Sequence, residues 1–273
     1  MSAPIGVFDS GYGGLTILKE LKKQLPQYDY IYLGDNARAP YGTRSFETVY
    51  EYTLEAVKWF FDQGCELVVL ACNTASAKAL RNIQQLELPK MAPHKRVLGV
   101  IRPSSEVLGN YSHSKHVGIL GTTGTVQSES YLLEMAKFFP EVKVFQQACP
   151  MWVPLIENGE YDQPGADYFV KSYINQLFSQ SKDIDTILLA CTHYPLLAAK
   201  IQANLPNGVK IVSQGDIVAH SLSQYLDNHP EIAQKCSQNG NLQFYTTDNA
   251  QTFEKQASSF FGQKIEAKHA DLA

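Results

Sequence analysis

The chain has 273 residues, 44% of them hydrophobic and 18% charged, enough for a large buried core in one or two globular domains. Its 27 acidic and 23 basic residues are interspersed for a net charge of −4, so neither a basic stripe nor an acidic arm is present and nucleic acid is not an expected partner. No apolar run approaches the roughly 20 residues of a membrane span, and Met1-Ser2-Ala3-Pro4 lacks the parts of a secretory signal, which predicts a cytosolic protein.

Short apolar runs predict strands at 5–8, 30–33, 67–71, 97–100, 117–120, 142–145, 186–190, 210–212 and 242–245. Helical spacing between them predicts helices over 15–24, 46–63, 75–86, 126–138, 167–180, 217–228 and 250–261. Strands alternating with helices imply an α/β fold of two similar domains, each a mostly parallel sheet flanked by helices, with the active site in the cleft between them. The chain is expected to leave the first domain between residue 89 and Pro103 and to return at Leu205-Pro206-Asn207-Gly208. That predicts a discontinuous first domain, 1–98 plus 209–273, and a second domain at 99–208.

Polar clusters follow five of the predicted strands, the place where open α/β sheets bind ligands. They are Asp9-Ser10-Gly11, residues 35–42, Cys72-Asn73-Thr74, the run from Gly121 to Thr125, and Cys191-Thr192-His193. Leu70-Ala71-Cys72-Asn73-Thr74 is nearly repeated as Leu189-Ala190-Cys191-Thr192-His193, which places two cysteines in equivalent settings. Each is expected to open a helix, whose N-terminus would favour the thiolate, while neighbouring N–H groups bind a carboxylate.

Cys65, Cys149 and Cys236 read as small apolar fillers, and five cysteines without CxxC pairs give no disulfide framework. Asp9, with Ser10 beside it, can serve proton transfer near Cys72 or cap the helix that follows. His193 can titrate near neutral pH on the Cys191 side or hold the turn before Tyr194-Pro195. Gly11-Tyr12-Gly13-Gly14 fails the dinucleotide spacing, and the cysteines and histidines show no zinc spacing, so neither a nucleotide cofactor nor a metal is expected.

In order along the chain, Gly6-Val7-Phe8-Asp9-Ser10-Gly11 with Gly13-Gly14-Leu15, Tyr32 with Asp35 and Pro40-Tyr41-Gly42, Ala71-Cys72-Asn73-Thr74-Ala75-Ser76, and Ala190-Cys191-Thr192-His193-Tyr194-Pro195 closely resemble glutamate racemase. Gly121-Thr122 with Gly124-Thr125, and Cys149-Pro150 with Val153-Pro154-Leu155-Ile156-Glu157, look like that family's central segments. The resemblance implies cofactor-independent interconversion of L- and D-glutamate for peptidoglycan, by an enzyme that often forms homodimers. It assigns the α-proton to Cys72 on one face and Cys191 on the other, with Asp9 and His193 tuning them and Asp35 and Glu157 as further acid–base helpers. Substrate contacts carried over are Asp9, Ser10, Pro40, Tyr41, Gly42, Asn73, Thr74, Thr192 and His193, with Thr122 and Thr125 near the side-chain carboxylate.

The chain departs from the family pattern at Tyr12, Arg102 and Ser213-Gln214-Gly215-Asp216, which affects the mouth of the site and the closing segment. Rival readings are a racemase of aspartate or a hydantoin, a hydrolase with one nucleophilic cysteine, and a non-catalytic binding protein. Binding of DNA gyrase, reported for some relatives, has no sequence signal here. The Asp9 motif begins almost at the first residue, so control by a cell-wall precursor through an N-terminal extension is not expected.

Overall fold

The computed structural model describes residues 2–272 and contains ten strands in two all-parallel sheets. The strands are β1 Ile5–Asp9, β2 Tyr30–Gly34, β3 Leu67–Leu70, β4 Arg96–Gly99, β5 His116–Gly121, β6 Lys143–Ala148, β7 Thr186–Ala190, β8 Lys210–Val212, β9 Leu242–Thr246 and β10 Ala267–His269. The six-stranded sheet runs β10-β9-β2-β1-β3-β4 and the four-stranded sheet β6-β5-β7-β8. Its order 2-1-3-4 in the first half recurs as 6-5-7-8 in the second, so β3 and β7, which lead into Cys72 and Cys191, hold equivalent places.

Both faces of each sheet are covered, which explains why the strands read as continuous apolar runs. In β1, Ile5 and Val7 join a core with Leu15, Leu18, Leu222 and Phe253, while Phe8 points the other way toward Val57 and Phe60. In β7, Ile187 and Leu189 pack with Leu177 and Ile201, whereas Leu188 packs with Val117 and Met135. The period of two along each strand divides its apolar side chains between two cores.

The sheet assignments differ from the sequence expectation at one boundary. Lys210–Val212, expected in the first domain, pairs in parallel with β7 of the second sheet (Ile187 opposite Ile211). The chain returns to the first half only with the helix Gly215–Asn228, which packs on Leu15–Gln24. The strand Ala267–His269 was not expected. It is short, partly polar and exposed, and exists by pairing with β9 at the sheet edge.

Two helices are also less regular than their spacing predicts. The expected helix 75–86 begins at Asn73, breaks at Ala79 and continues through a π-helical turn, Ile83–Glu87, into Leu88–Met91. Pro89 removes a backbone donor there, and wider turns accommodate the loss. The expected helix 126–138 is two pieces, Thr123–Gln127 and Ser130–Phe138, separated at Glu129, whose φ is +55°. Helix Ile101–Leu108 was missed because it contains Pro103, which its first turn tolerates.

Candidate active site

The carboxyl ends of β1, β3, β5 and β7 face one cleft, at the points where strand order reverses in each sheet. A cavity of about 210 Å³ there is lined by Ser10, Pro40, Tyr41, Gly42, Cys72, Asn73, Thr74, Thr122, Glu157, Cys191, Thr192 and His193, among others. Both halves supply its walls, and both sequence-predicted cysteines open onto it. Its volume is below the roughly 300–1,000 Å³ of drug-sized sites, which suits a small ligand. Among the described residues, no group of three or more His, Cys, Asp and Glu side chains is placed to hold a metal ion.

Cys72 caps the helix Asn73–Lys78, its sulfur accepting the Ala75 N–H at 3.4 Å and lying 3.6 Å from Ser10 Oγ. The expected stabilisation of a thiolate is outweighed. Burial first, and then the nearby Asp9 charge, push this thiol up to about 12, against the lowering pull of Ala75 N–H and Ser10. Cys72 is therefore held as a neutral thiol.

Asp9 is fully buried and caps no helix. Its Oδ2 accepts the Gly11 N–H at 3.0 Å, and its Oδ1 accepts from Thr192 Oγ1 of the other half at 3.3 Å. Gly14, with no side-chain cap, precedes the helix Leu15–Gln24. Burial raises the Asp9 carboxyl, only partly offset by His193 and the backbone N–H groups of Gly14 and Gly11.

Cys191 opens no α-helix, contrary to expectation, because Thr192 and His193 turn into a single 3₁₀ segment, Tyr194–Leu197, that carries Pro195. Its sulfur lies 3.9 Å from His193 Nδ1, and the opposite ring nitrogen is 2.9 Å from Glu157 Oε1. Burial alone would lower the imidazole, but the bonds to Cys191 and Glu157 override it and push His193 up to about 10. This histidine is a buried cation able to neutralise a thiolate. The edge of Phe260 meets its ring at 5.7 Å, and Tyr12 stacks between Phe253 and Phe260, which accounts for the unusual aromatic at that position.

The remaining predicted residues fall into two groups. Thr74, Thr122 and Thr192 bring hydroxyls to the wall, with Thr74 and Thr122 joined at 2.9 Å across the cleft. Gly42 O accepts the Gly124 N–H at 2.8 Å, another bond between the halves. Asp35 and Thr125 are fully buried behind this wall. The Asp35 carboxylate receives Arg38 Nε and Thr247 Oγ1, each at 2.7 Å, together with the hydroxyl of Tyr41. It holds Tyr41 in place, and Thr125 holds Thr122 at 3.1 Å.

Cys149, read as filler, is buried but also lines the cavity, beside Pro150, Val153 and Pro154. The Cys149-Pro150 segment was quoted for its resemblance, yet no spacing marked it as a cleft wall. Cys65 and Cys236 are buried away from that cavity, and all five cysteines are free thiols. Arg102 pairs with Glu106 at 2.9 Å on an exposed helix face.

Two equivalent strand ends thus bring thiols to one cleft, and the comparisons with known proteins give the class of protein that carries it. The sequence profile of the Asp/Glu/hydantoin racemase family matches residues 5–222, and the chain belongs to that family. It is an isomerase. A curated relative, the glutamate racemase of Geobacter metallireducens, is 40% identical over 262 residues, 96% of this chain and 93% of the relative. The crystal structure of a Bacillus anthracis glutamate racemase isoform superposes with a TM-score of 0.89 at 34% identity, covering 99% of this chain and 98% of that one. Francisella tularensis glutamate racemase, solved in complex with D-glutamate, gives 0.87 at 32% identity with the same coverage. The likeness read from the sequence motifs thus extends over the whole chain.

Proposed function

We propose that this racemase interconverts L- and D-glutamate without a cofactor, by two-base proton transfer between Cys72 and Cys191, and supplies D-glutamate for peptidoglycan in the cytosol. The observation that carries the reading is the pair of buried thiols on one cavity in opposite electrostatic settings. Inversion by proton transfer needs a base on one face of the α-carbon and an acid on the other. Cys72, neutral, is the acid at rest. Cys191, 3.9 Å from His193 Nδ1, takes the part of the base.

In one direction Cys191 removes the α-proton while Cys72 delivers its own to the opposite face, and the reverse reaction exchanges the roles. His193, backed by Glu157, compensates charge on Cys191, and Asp9 buffers the proton of Cys72. The α-proton is a very weak acid, so donors aimed at the substrate carboxylates must stabilise the carbanion-like state. Ser10, Thr74, Thr122 and Thr192 provide them, Asn73 is a further carboxylate contact that binds ground and transition states alike, and Pro40-Tyr41-Gly42 closes the wall. Full-length similarity to glutamate racemases, one solved with D-glutamate, supports this substrate over aspartate.

The test is solvent-deuterium exchange followed by NMR on L-glutamate, D-glutamate and both aspartates separately, with no cofactor added. Exchange with inversion on glutamate alone is expected. Turnover of aspartate would keep the mechanism and change the substrate, and no exchange with any of the four would overturn the racemase reading.

A further inference from the structure

Gln214 belongs to the segment where the chain departs from the family pattern, and the proposed chemistry leaves it unused. It sits between β8 and the helix Gly215–Asn228, 3% exposed. Its Nε2 lies 3.3 Å from Val100 O, 2.8 Å from Ser104 Oγ and 2.9 Å from Tyr131 OH, and its Oε1 accepts from Asn73 Nδ2 at 2.6 Å. The Tyr131 hydroxyl donates to Asn73 Oδ1 at 2.6 Å.

These contacts have a direction. A backbone carbonyl only accepts, so the end of Gln214 facing Val100 O is the NH₂ end. Its oxygen then faces Asn73, and Asn73 must answer with its own NH₂. With one Oδ1 lone pair taken by Tyr131 and one Nδ2 proton by Gln214, the second Nδ2 proton is the one donor the Asn73 side chain has left. Asn73 lines the cavity, and its amide orientation decides whether that proton is available to a ligand there.

We propose that Gln214 is a positioning residue that fixes the amide polarity of Asn73, so that this side chain presents an N–H to a substrate carboxylate. The inference rests on the reading of Asn73 as a substrate contact. Without Gln214 the amide is free to turn its oxygen inward, where it repels the anion instead of binding it. Gln214 touches no substrate itself and acts through Asn73.

The test compares Asn73→Ala, Gln214→Met, the double variant and Tyr131→Phe by steady-state kinetics on both glutamate enantiomers. Methionine nearly conserves the volume of glutamine while removing its polar end. Asn73→Ala and Gln214→Met should each raise KM about 10-fold with kcat within about 3-fold of wild type, the pattern of lost substrate binding. The double variant should be no worse than Asn73→Ala, because residues acting through one contact are not additive. Tyr131→Phe, which removes one oxygen, should raise KM about 3-fold and keeps the test open if Gln214→Met fails to fold.

Multiplicative losses in the double variant, or normal KM in Gln214→Met beside a raised KM in Asn73→Ala, overturn the inference and leave Asn73 as a substrate contact. Normal KM in Asn73→Ala overturns both readings.

Discussion

β3 and β7 both run through Leu-Ala into a cysteine, yet the turns that follow surround the two cysteines differently. At Cys72 the chain continues into an α-helix, the sulfur caps it, and the nearest charge is the buried carboxyl of Asp9. At Cys191 a proline-bearing 3₁₀ turn follows, and the nearest charge is a histidine held cationic by Glu157. A duplicated strand and cysteine thus stand in two different electrostatic settings, and the proposed two-base reaction uses that difference. The pseudo-symmetry serves geometry, and its breaking gives each thiol a different charged neighbour.

Removing either thiol should produce the largest effect. Cys72→Ala and Cys191→Ala are each expected to lower kcat/KM for racemisation at least ~10³-fold, about 4 kcal/mol of transition-state stabilisation. Enantiomers have equal free energy, so the equilibrium constant is 1 and kcat/KM must fall equally in both directions, whichever cysteine is lost. The comparison is sharpened by solvent-deuterium exchange. Each variant keeps one base and should wash deuterium into one enantiomer without inverting it, the two variants selecting opposite enantiomers. Turnover near wild type in either would remove the two-base assignment.

Much of this was legible in the sequence, for identifiable reasons. Doubly covered strands such as Leu67–Leu70 must be apolar throughout, so they stand out, and the cysteine turns follow directly from them. Ala267–His269 did not stand out because an exposed edge strand is specified by its neighbour and not by its own pattern. The protonation of Cys72 was misjudged because a helix N-terminus can be read locally, whereas burial depends on packing contributed by distant segments. Asp35 was read as an acid–base helper, but its partners Arg38, Tyr41 and Thr247 keep it behind the wall. The Gln214 network joins positions 73, 100, 104, 131 and 214, a set that no local window contains.

A smaller loss should follow from separating the two halves without touching either thiol. A Cβ at Gly13 would lie 2.3 Å from Thr192 Oγ1 and 2.4 Å from His193 Nδ1. Gly13→Ala must therefore displace the Cys191 turn from the Asp9 turn, breaking the Asp9–Thr192 bond that crosses the cleft. Misplacement of about 1 Å costs roughly 10²-fold in rate, the fall in kcat expected here. Gly165→Ala is the control, since nothing lies within 4 Å of its added Cβ and activity should be unchanged. Equal activity in the two variants would show that the halves do not need this close approach.

The smallest expected effect is on stability and tests the charge assigned to the Cys191 side. His193 rises from 6.5 when exposed to about 10 in the fold. A raised histidine binds its proton more tightly folded than unfolded, so its contribution is full below pH 6.5, declines above it, and is gone once the pH has passed about 10. His193→Gln keeps a hydrogen-bonding group but cannot be charged. Wild type should therefore unfold at a higher temperature than the variant at pH 6, by roughly 5–10 °C for a few kcal/mol in a chain of this size. The gap should narrow steadily toward pH 10, read by calorimetry at matched ionic strength. A gap independent of pH would mean that His193 is neutral in the fold, and the asymmetry between the two cysteine turns would then need another source.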